Sequence, residues 1–527
     1  MLSRIVKSHM LNWELGLFLL LQVGTMLLAI SRESLWIDEF WNVYFASLGS
    51  IRKLYEGLSA PYGSQTPLHF IYGYFWAKFV ASSEVGFRLS NLPLFVVGQA
   101  SLFWALRPYP KDFVFWFLAL CALHPLIWQY ANELRPYIMI YAGAQMILAY
   151  IFHIHASKRF NTPVSPLASV IFFVGSVLLF GASLLGVFWV ATAGAYIVYF
   201  RFERFGWSDL KERSALVAAG GLLVIVGLLT FYYLNSLLHG GGASRLATTT
   251  VSTLLFDFYE LLGLSGIGPS RLELRDIGFS ALMPYGSWLV VASVLVLISI
   301  GLGFQDVRNR VGTNKFIFLI ALALAPIAVV ISSGFIMHWR VLGRHMIATI
   351  PLLNLLIALG LVKSFNRRDS QGRLWRSMIG AGCLLVFIVS SLSMRFADRH
   401  RKDDYRAAAA VAIQELTVGK RVWWAADALG AKYYAIPGEF DYMAELTNIK
   451  KAYVCIDRPG VQAVSDASGN CLERLEPPDT VIFSKPDTFD KSGAISAYLK
   501  AGNFVRAQEL PAFTIWRRAG DAEALKK

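Results

Sequence analysis

Apolar residues run in long unbroken stretches through most of this chain, too long for the alternation of a half-buried strand and close to the ~20 residues that cross a bilayer as a helix. They cover roughly residues 11–31, 89–106, 113–131, 136–154, 166–182, 184–200, 214–234, 285–304, 316–333, 345–362 and 377–394. A further apolar segment, Pro67 to Val80, is shorter, carries His69 and Lys78 and is rich in aromatic residues, the pattern of a helix lying in the membrane interface. Phe40 to Leu58 reads as a second interfacial helix, broken from the first by Ala60 to Ser64. From about residue 395 the pattern becomes that of a soluble domain. Ala407 to Leu416 and Ser492 to Lys500 predict helices, and Arg421 to Ala425, Lys451 to Ile456, Thr480 to Ser484 and Ala512 to Arg517 predict short strands. The expected architecture is a polytopic α-helical membrane domain over 1–394 and a small α/β domain over 395–527.

Composition agrees: 56% of residues are hydrophobic, only 16% are charged and the mean hydropathy is +0.50, too apolar for a soluble chain. A net charge of +14 would invite nucleic acid if the basic residues lined one solvated face. They sit instead in short loops between apolar stretches, as Lys158 and Arg159; Arg201, Arg204, Lys211 and Arg213; Arg308, Arg310 and Lys315; and Lys363, Arg367, Arg368, Arg373 and Arg376. Basic short loops mark the cytoplasmic side. All of them fall on one side when Pro67 to Val80 lies in the interface, which gives about eleven spans, a cytoplasmic N-terminus and an extracytoplasmic C-terminus. The first stretch, lacking a small-residue cleavage site, reads as an anchor. Three sizeable pieces then face outward: 32–88, 235–283 and everything after about 395. Gly240 to Ser244 reads as a hinge, too short and unpatterned for a phosphate loop. Of the four cysteines, Cys121 and Cys383 lie in apolar stretches, while Cys455 and Cys471 in the tail are either a disulfide or two thiols.

Asp38 and Glu39, flanked by Trp36, Phe40 and Trp41, stand where the first span ends. Ionisable groups near the hydrocarbon are costly, so they usually face a polar cavity and carry a function. The same outer face receives Glu133 and Arg135 after the third span, and His338, Arg340, Arg344 and His345 around the tenth. Glycosyl transfer from a lipid-linked sugar phosphate needs a carboxylate to take the acceptor's proton and cations to hold the phosphate leaving group. Arginine suits the second task because its planar fork donates two hydrogen bonds at once. Blander roles stay open: Arg340 and Arg344 anchoring a helix end among headgroups, and Glu133 with Arg135 forming a local salt bridge. The histidines His69, His124, His153, His155 and His239 are scattered without a ligand pattern, so no zinc or iron site is expected. A divalent cation at Asp38 and Glu39 is the less favoured alternative to a cofactor-free reaction.

These segments resemble the GT-C superfamily of polyprenyl-phosphate-sugar glycosyltransferases, in the branch of the lipid A aminoarabinose transferases and protein O-mannosyltransferases. The resemblance is carried by Trp36-Ile37-Asp38-Glu39, by Thr66-Pro67-Leu68-His69-Phe70, by Ser82 to Leu89, by Asn132-Glu133-Leu134-Arg135-Pro136-Tyr137, by Gly343-Arg344-His345 and by Lys402 to Ala409. It implies an inverting transferase that moves a sugar from a polyprenyl phosphate to a hydroxyl on a lipid, glycan or protein at the outer membrane face. Asp38 would be the base, with Glu39 and Glu133 as further acids. Arg135, Arg340, Arg344 and His345 would hold the donor phosphate, and His69, Trp36 and Tyr137 would contact acceptor or sugar. The chain departs from the aminoarabinose transferases where Arg135 replaces an Asp and Thr66 a Lys, which shifts the second acid to Glu133 and more of the phosphate contact to Arg340 and Arg344. Rival readings are a multi-span transporter or flippase, disfavoured by the lack of self-similar halves, and an inactive scaffold that binds partners through its tail.

Overall fold

The computed structural model describes residues 16, 17, 19–59, 66–160, 162–205, 213–238, 248–365, 373–438, 462–464, 472, 473 and 475–519. The expected hinge at Gly240 to Ser244, the strand at Lys451 to Ile456, and Cys455 and Cys471 lie outside them. The chain divides into two compact units: Met1–Ile30, Ser50–Ala81 and Gly86–His400 form one, and Ser31–Gly49, Ser82–Val85 and Arg401–Lys527 the other.

The first unit is helical. Among the described residues, seven helices are long and apolar enough to cross a membrane: Glu84–Leu106, Tyr137–Phe160, Ala219–Leu238, Arg271–Val311, Thr313–Ile336, Gly343–Ser364 and Leu374–Phe396. An eighth results if Lys111–Leu123 and Pro125–Ala131 are one span, bent by 50°. The bend has a local cause. Pro125 lacks an amide and disfavours helical geometry in the residue before it, and His124 is extended at ψ 123. The His124 ring then accepts from the Leu126 amide (3.3 Å) and donates to the Leu261 carbonyl (3.1 Å), so the break carries no orphaned imidazole. Leu19–Ala29 and Pro166–Ala182 are shorter apolar helices, and Pro67–Phe79 is the helix expected in the interface. Each apolar stretch read from the sequence coincides, in its described part, with a helix.

Helix burial differs widely. Tyr137–Phe160 is 83% buried across its apolar window and forms the centre of this unit, whereas Ala219–Leu238 and Thr313–Ile336 are 11% buried and offer their apolar sides to lipid. Small residues let the central helices touch. A Cβ on Gly143 would stand 2.6 Å from the Gly175 carbonyl oxygen, and one on Gly303 or Gly360 2.0 Å from the carbonyl oxygen of Leu356 or Ser299.

Among the described residues the second unit holds a five-stranded sheet: β1 Val422–Ala425, β2 Gln462–Ala463, β3 Thr480–Ser484, β4 Phe504–Leu510 and β5 Phe513–Arg518, in the order β2-β1-β3-β5-β4. β1 pairs parallel with β2 and β3, and β5 pairs antiparallel with β3 and β4. β1 and β3 are buried on both faces, which is why they read as unbroken apolar runs. Helices Tyr405–Thr417 and Ala494–Ala501 match the expected ones. β4 has no counterpart among the sequence expectations, because it is an exposed edge strand reading Phe-Val-Arg-Ala-Gln-Glu-Leu. Besides the C-terminal stretch, this unit contains the helix Ile37–Ala46, which carries Asp38 and Glu39 and packs on the helix Ala428–Tyr433.

Candidate active site

The sequence-derived residues fall into two groups, one in each unit. In the second unit Trp36 is the N-cap of the helix Ile37–Ala46, and Asp38 and Glu39 lie in its first turn, where the helix dipole favours negative charge. Glu39 is buried and its Oε2 accepts from the Trp36 amide at 3.4 Å, a structural duty. Asp38 is half-buried, and its carbonyl accepts from Asn42 Nδ2 at 3.0 Å. The two neighbouring acids therefore differ in kind: Glu39 closes the helix end, while Asp38 retains contact with solvent.

In the first unit the fold centres the polar residues on two tyrosines. Tyr130 and Tyr137 pack with ring centroids 4.3 Å apart. Arg135 lies 5.4 Å and Arg344 5.8 Å from the Tyr137 ring, and Arg271 lies 5.7 Å from the Tyr130 ring. Arg135 Nη2 donates to the Tyr137 hydroxyl (3.0 Å), and Arg271 Nη2 donates to the Tyr130 hydroxyl (2.9 Å). Glu133 is wholly buried; its Oε1 accepts from Gln129 Nε2 at 3.4 Å and its carbonyl from Asn91 Nδ2 at 2.6 Å. His69, on the helix Pro67–Phe79, is 1% exposed, and neither ring nitrogen has a hydrogen-bond partner among the described residues. Burial, aided by the nearby Arg135 charge, pushes its pKa down to about 3, which leaves a neutral imidazole.

The late basic residues separate. Arg344 joins the tyrosine cluster, Arg340 is exposed, and His345 turns its Nδ1 to the Leu342 amide (3.1 Å) and its ring towards Trp339. His345 therefore serves the turn before Gly343–Ser364.

Four members of this cluster were not among the sequence-derived candidates: Tyr130, Asp257, Glu260 and Arg271. Glu260 is buried and ion-paired to Arg271, whose Nε lies 3.2 Å from its Oε1. Asp257, one turn earlier on the helix Val251–Leu261, is buried. Burial, then repulsion from Glu260, raises its pKa to about 8, against the pull of the Gly343 amide and of Arg340 and Arg344. The one signal in the sequence was the placement of acids in a segment of otherwise apolar residues, Leu254 to Leu264. Among the described residues no group of three or more His, Cys, Asp or Glu could hold a metal ion.

No protein-family profile matches the sequence, and no curated protein matches it. Solved structures do. ArnT from Cupriavidus metallidurans in the apo state aligns with a TM-score of 0.51 at 12% identity, over 97% of this chain and 98% of that one. ArnT from the same organism bound to undecaprenyl phosphate aligns with a TM-score of 0.48 at 13% identity, over 97% and 99%. The arabinofuranosyltransferase AftD from Mycobacteria aligns with a TM-score of 0.40 at 12% identity, over 97% of this chain and 40% of that one. The apo ArnT alignment carries a statement about fold: the chain shares the fold of that protein over 97% of its length.

Proposed function

We propose that this chain is a membrane glycosyltransferase that moves a sugar from a polyprenyl phosphate to a hydroxyl of a lipid, glycan or protein acceptor, with inversion at the anomeric carbon. The observation that carries the reading is the tyrosine-centred cluster, where Arg135, Arg271 and Arg344 converge inside an otherwise apolar helical unit. Such a concentration of guanidinium groups suits a phosphate, since Arg binds it through paired hydrogen bonds. With Asp257 largely protonated at neutral pH and Glu260 engaged by Arg271, the cluster keeps positive charge for an anion.

In the proposed reaction the acceptor oxygen attacks the anomeric carbon as the bond to the phosphate oxygen breaks, and the electron pair of that bond leaves with the phosphate. The acceptor's proton passes to Asp38. Arg135, Arg271 and Arg344 hold the phosphate as its charge grows, and the neutral His69 and the Tyr137 hydroxyl bind sugar or acceptor hydroxyls. Arg340 is a contact for the headgroup region, and His345 acts through the turn it caps. No step requires a metal ion.

The test is transfer in membranes with a radiolabelled polyprenyl-phosphate sugar. Asp38→Asn, which keeps size and removes the base, is expected to lower turnover by ~10²-fold or more, whereas Glu39→Gln is expected to act mainly through stability. Turnover near wild type in Asp38→Asn would remove Asp38 from the mechanism. A comparison of lipid extracts from wild-type and deletion cells identifies the donor that accumulates and the product that is lost.

A further inference from the structure

The segment bearing Asp38 is built into the same compact unit as the C-terminal sheet, and two charged groups of that sheet's loops attend it. Lys485, in the turn after β3, places Nζ 5.6 Å from the centre of the Trp36 ring. Its ammonium is ion-paired with Asp403, both side chains being buried. The Asp403 carbonyl in turn accepts from Ser34 Oγ at 2.7 Å, so residues 34–36 are tied to this pair at two points. Lys485 adopts a left-handed backbone at φ 37, a conformation that a non-glycine residue holds only when its surroundings impose it.

Asp427 is the second of these groups. It caps the helix Ala428–Tyr433 by accepting from the Gly430 amide at 3.2 Å, and that helix packs on the helix Ile37–Ala46 so closely that a Cβ on Gly430 would lie 2.8 Å from Phe40 Cε2. Asp427 lies within electrostatic reach of both Asp38 and Lys485. The other charged groups around this helix are occupied: Glu39 accepts from the Trp36 amide, Glu84 is paired with Arg406 at 2.8 Å and Asp403 with Lys485, while Tyr433 and Tyr434 pack on Phe40.

We propose that Asp427 and Lys485 are positioning residues for Asp38, a carboxylate and an ammonium from the C-terminal part of the chain that set the charge around it and the course of the turn presenting it. This rests on the reading of Asp38 as the base, and it makes the C-terminal sheet a component of the catalytic apparatus. Burial, opposed by its capping bonds and raised further by Asp38, brings the Asp427 pKa up to about 6, so its charge changes within the range where an enzyme works.

The experiment follows Asp38 itself and needs no substrate. The full-length protein in detergent is treated with a water-soluble carbodiimide and glycine ethyl ester across pH 4–9, and modification of Asp38 is quantified by peptide mass spectrometry. Carbodiimide reacts with the protonated carboxyl, so the profile reports when Asp38 ionises. Asp427→Asn, which keeps a side chain able to cap the helix, removes an acid that becomes negative as pH rises through about 6, and is expected to lower the residual modification of Asp38 above that pH about threefold. Lys485→Met removes a positive neighbour and is expected to raise it about threefold at the same pH, with Lys485→Arg restoring it, as a unit charge at roughly 6 Å in water implies. Unchanged modification above pH 6, or changes of one sign in both variants, would overturn the proposal. Changes of opposite sign in a protein that transfers no sugar would instead leave the coupling standing and remove the enzymatic reading.

Discussion

At the residue scale, the decisive feature is the difference between groups that share a charge and not a surrounding. Arg344 sits against Tyr137, while Arg340, four residues earlier, is exposed. Arg344→Lys keeps the charge and loses the fork and the ring contact, and is expected to weaken binding of the proposed polyprenyl-phosphate donor about tenfold in a competition assay; Arg340→Lys should leave it within a factor of two. Asp257 supplies a pH prediction. Its folded pKa of about 8 lies above the ordinary carboxylate value near 4, so the folded chain holds a proton the unfolded chain releases. Stability on this account is intact below about pH 4, falls as pH rises between these values and is lost in full above about 8. Asp257→Asn is therefore expected to raise the thermal midpoint in detergent at pH 9 and to leave it unchanged near pH 4, measured by tryptophan fluorescence. An equal effect at both pH values would mean that the carboxyl's charge is not what matters.

At the scale of elements, close helix contacts in the first unit depend on glycine more than on apolarity. Gly303 and Gly360 form a reciprocal pair across Arg271–Val311 and Gly343–Ser364, each against the other helix's carbonyl. Gly303→Leu must push the helices apart, and a destabilisation of about 1–3 kcal/mol is expected from overpacking of this kind, seen as a lower thermal midpoint and a smaller folded fraction in size-exclusion chromatography. Gly301→Leu, at a position where a Cβ meets nothing, is the control and should be neutral. The apolar periodicity located these helices but could not say which glycines face a neighbour, since a glycine looks the same on either side. In the second unit the same asymmetry appears: β1 and β3, buried on both faces, were legible as apolar runs, whereas the polar edge strand β4 gains its place from pairing with β5.

For the whole molecule, the distribution of basic loops proposes an orientation that can be measured directly. In a background with Cys455 and Cys471 replaced by Ser, Ser492→Cys is expected to react with a membrane-impermeant maleimide in intact cells, and Arg310→Cys only after permeabilisation. The reverse pattern would invert the topology and with it the proposed site of transfer. Hydrophobic run length, basic loops and the acids after the first span are local properties, so the sequence alone determined the membrane class, the helical stretches and the prominence of Asp38. What only the tertiary structure decided is company. Arg271, with Glu260 paired to it, reaches Tyr130 across more than a hundred residues, Glu39 turns out to cap its own helix, and Lys485 comes to stand over the Trp36 ring from the far end of the chain. The physical reason is that a buried charge selects its partners by helix packing and sheet pairing, and neither is written in the spacing of the residues involved.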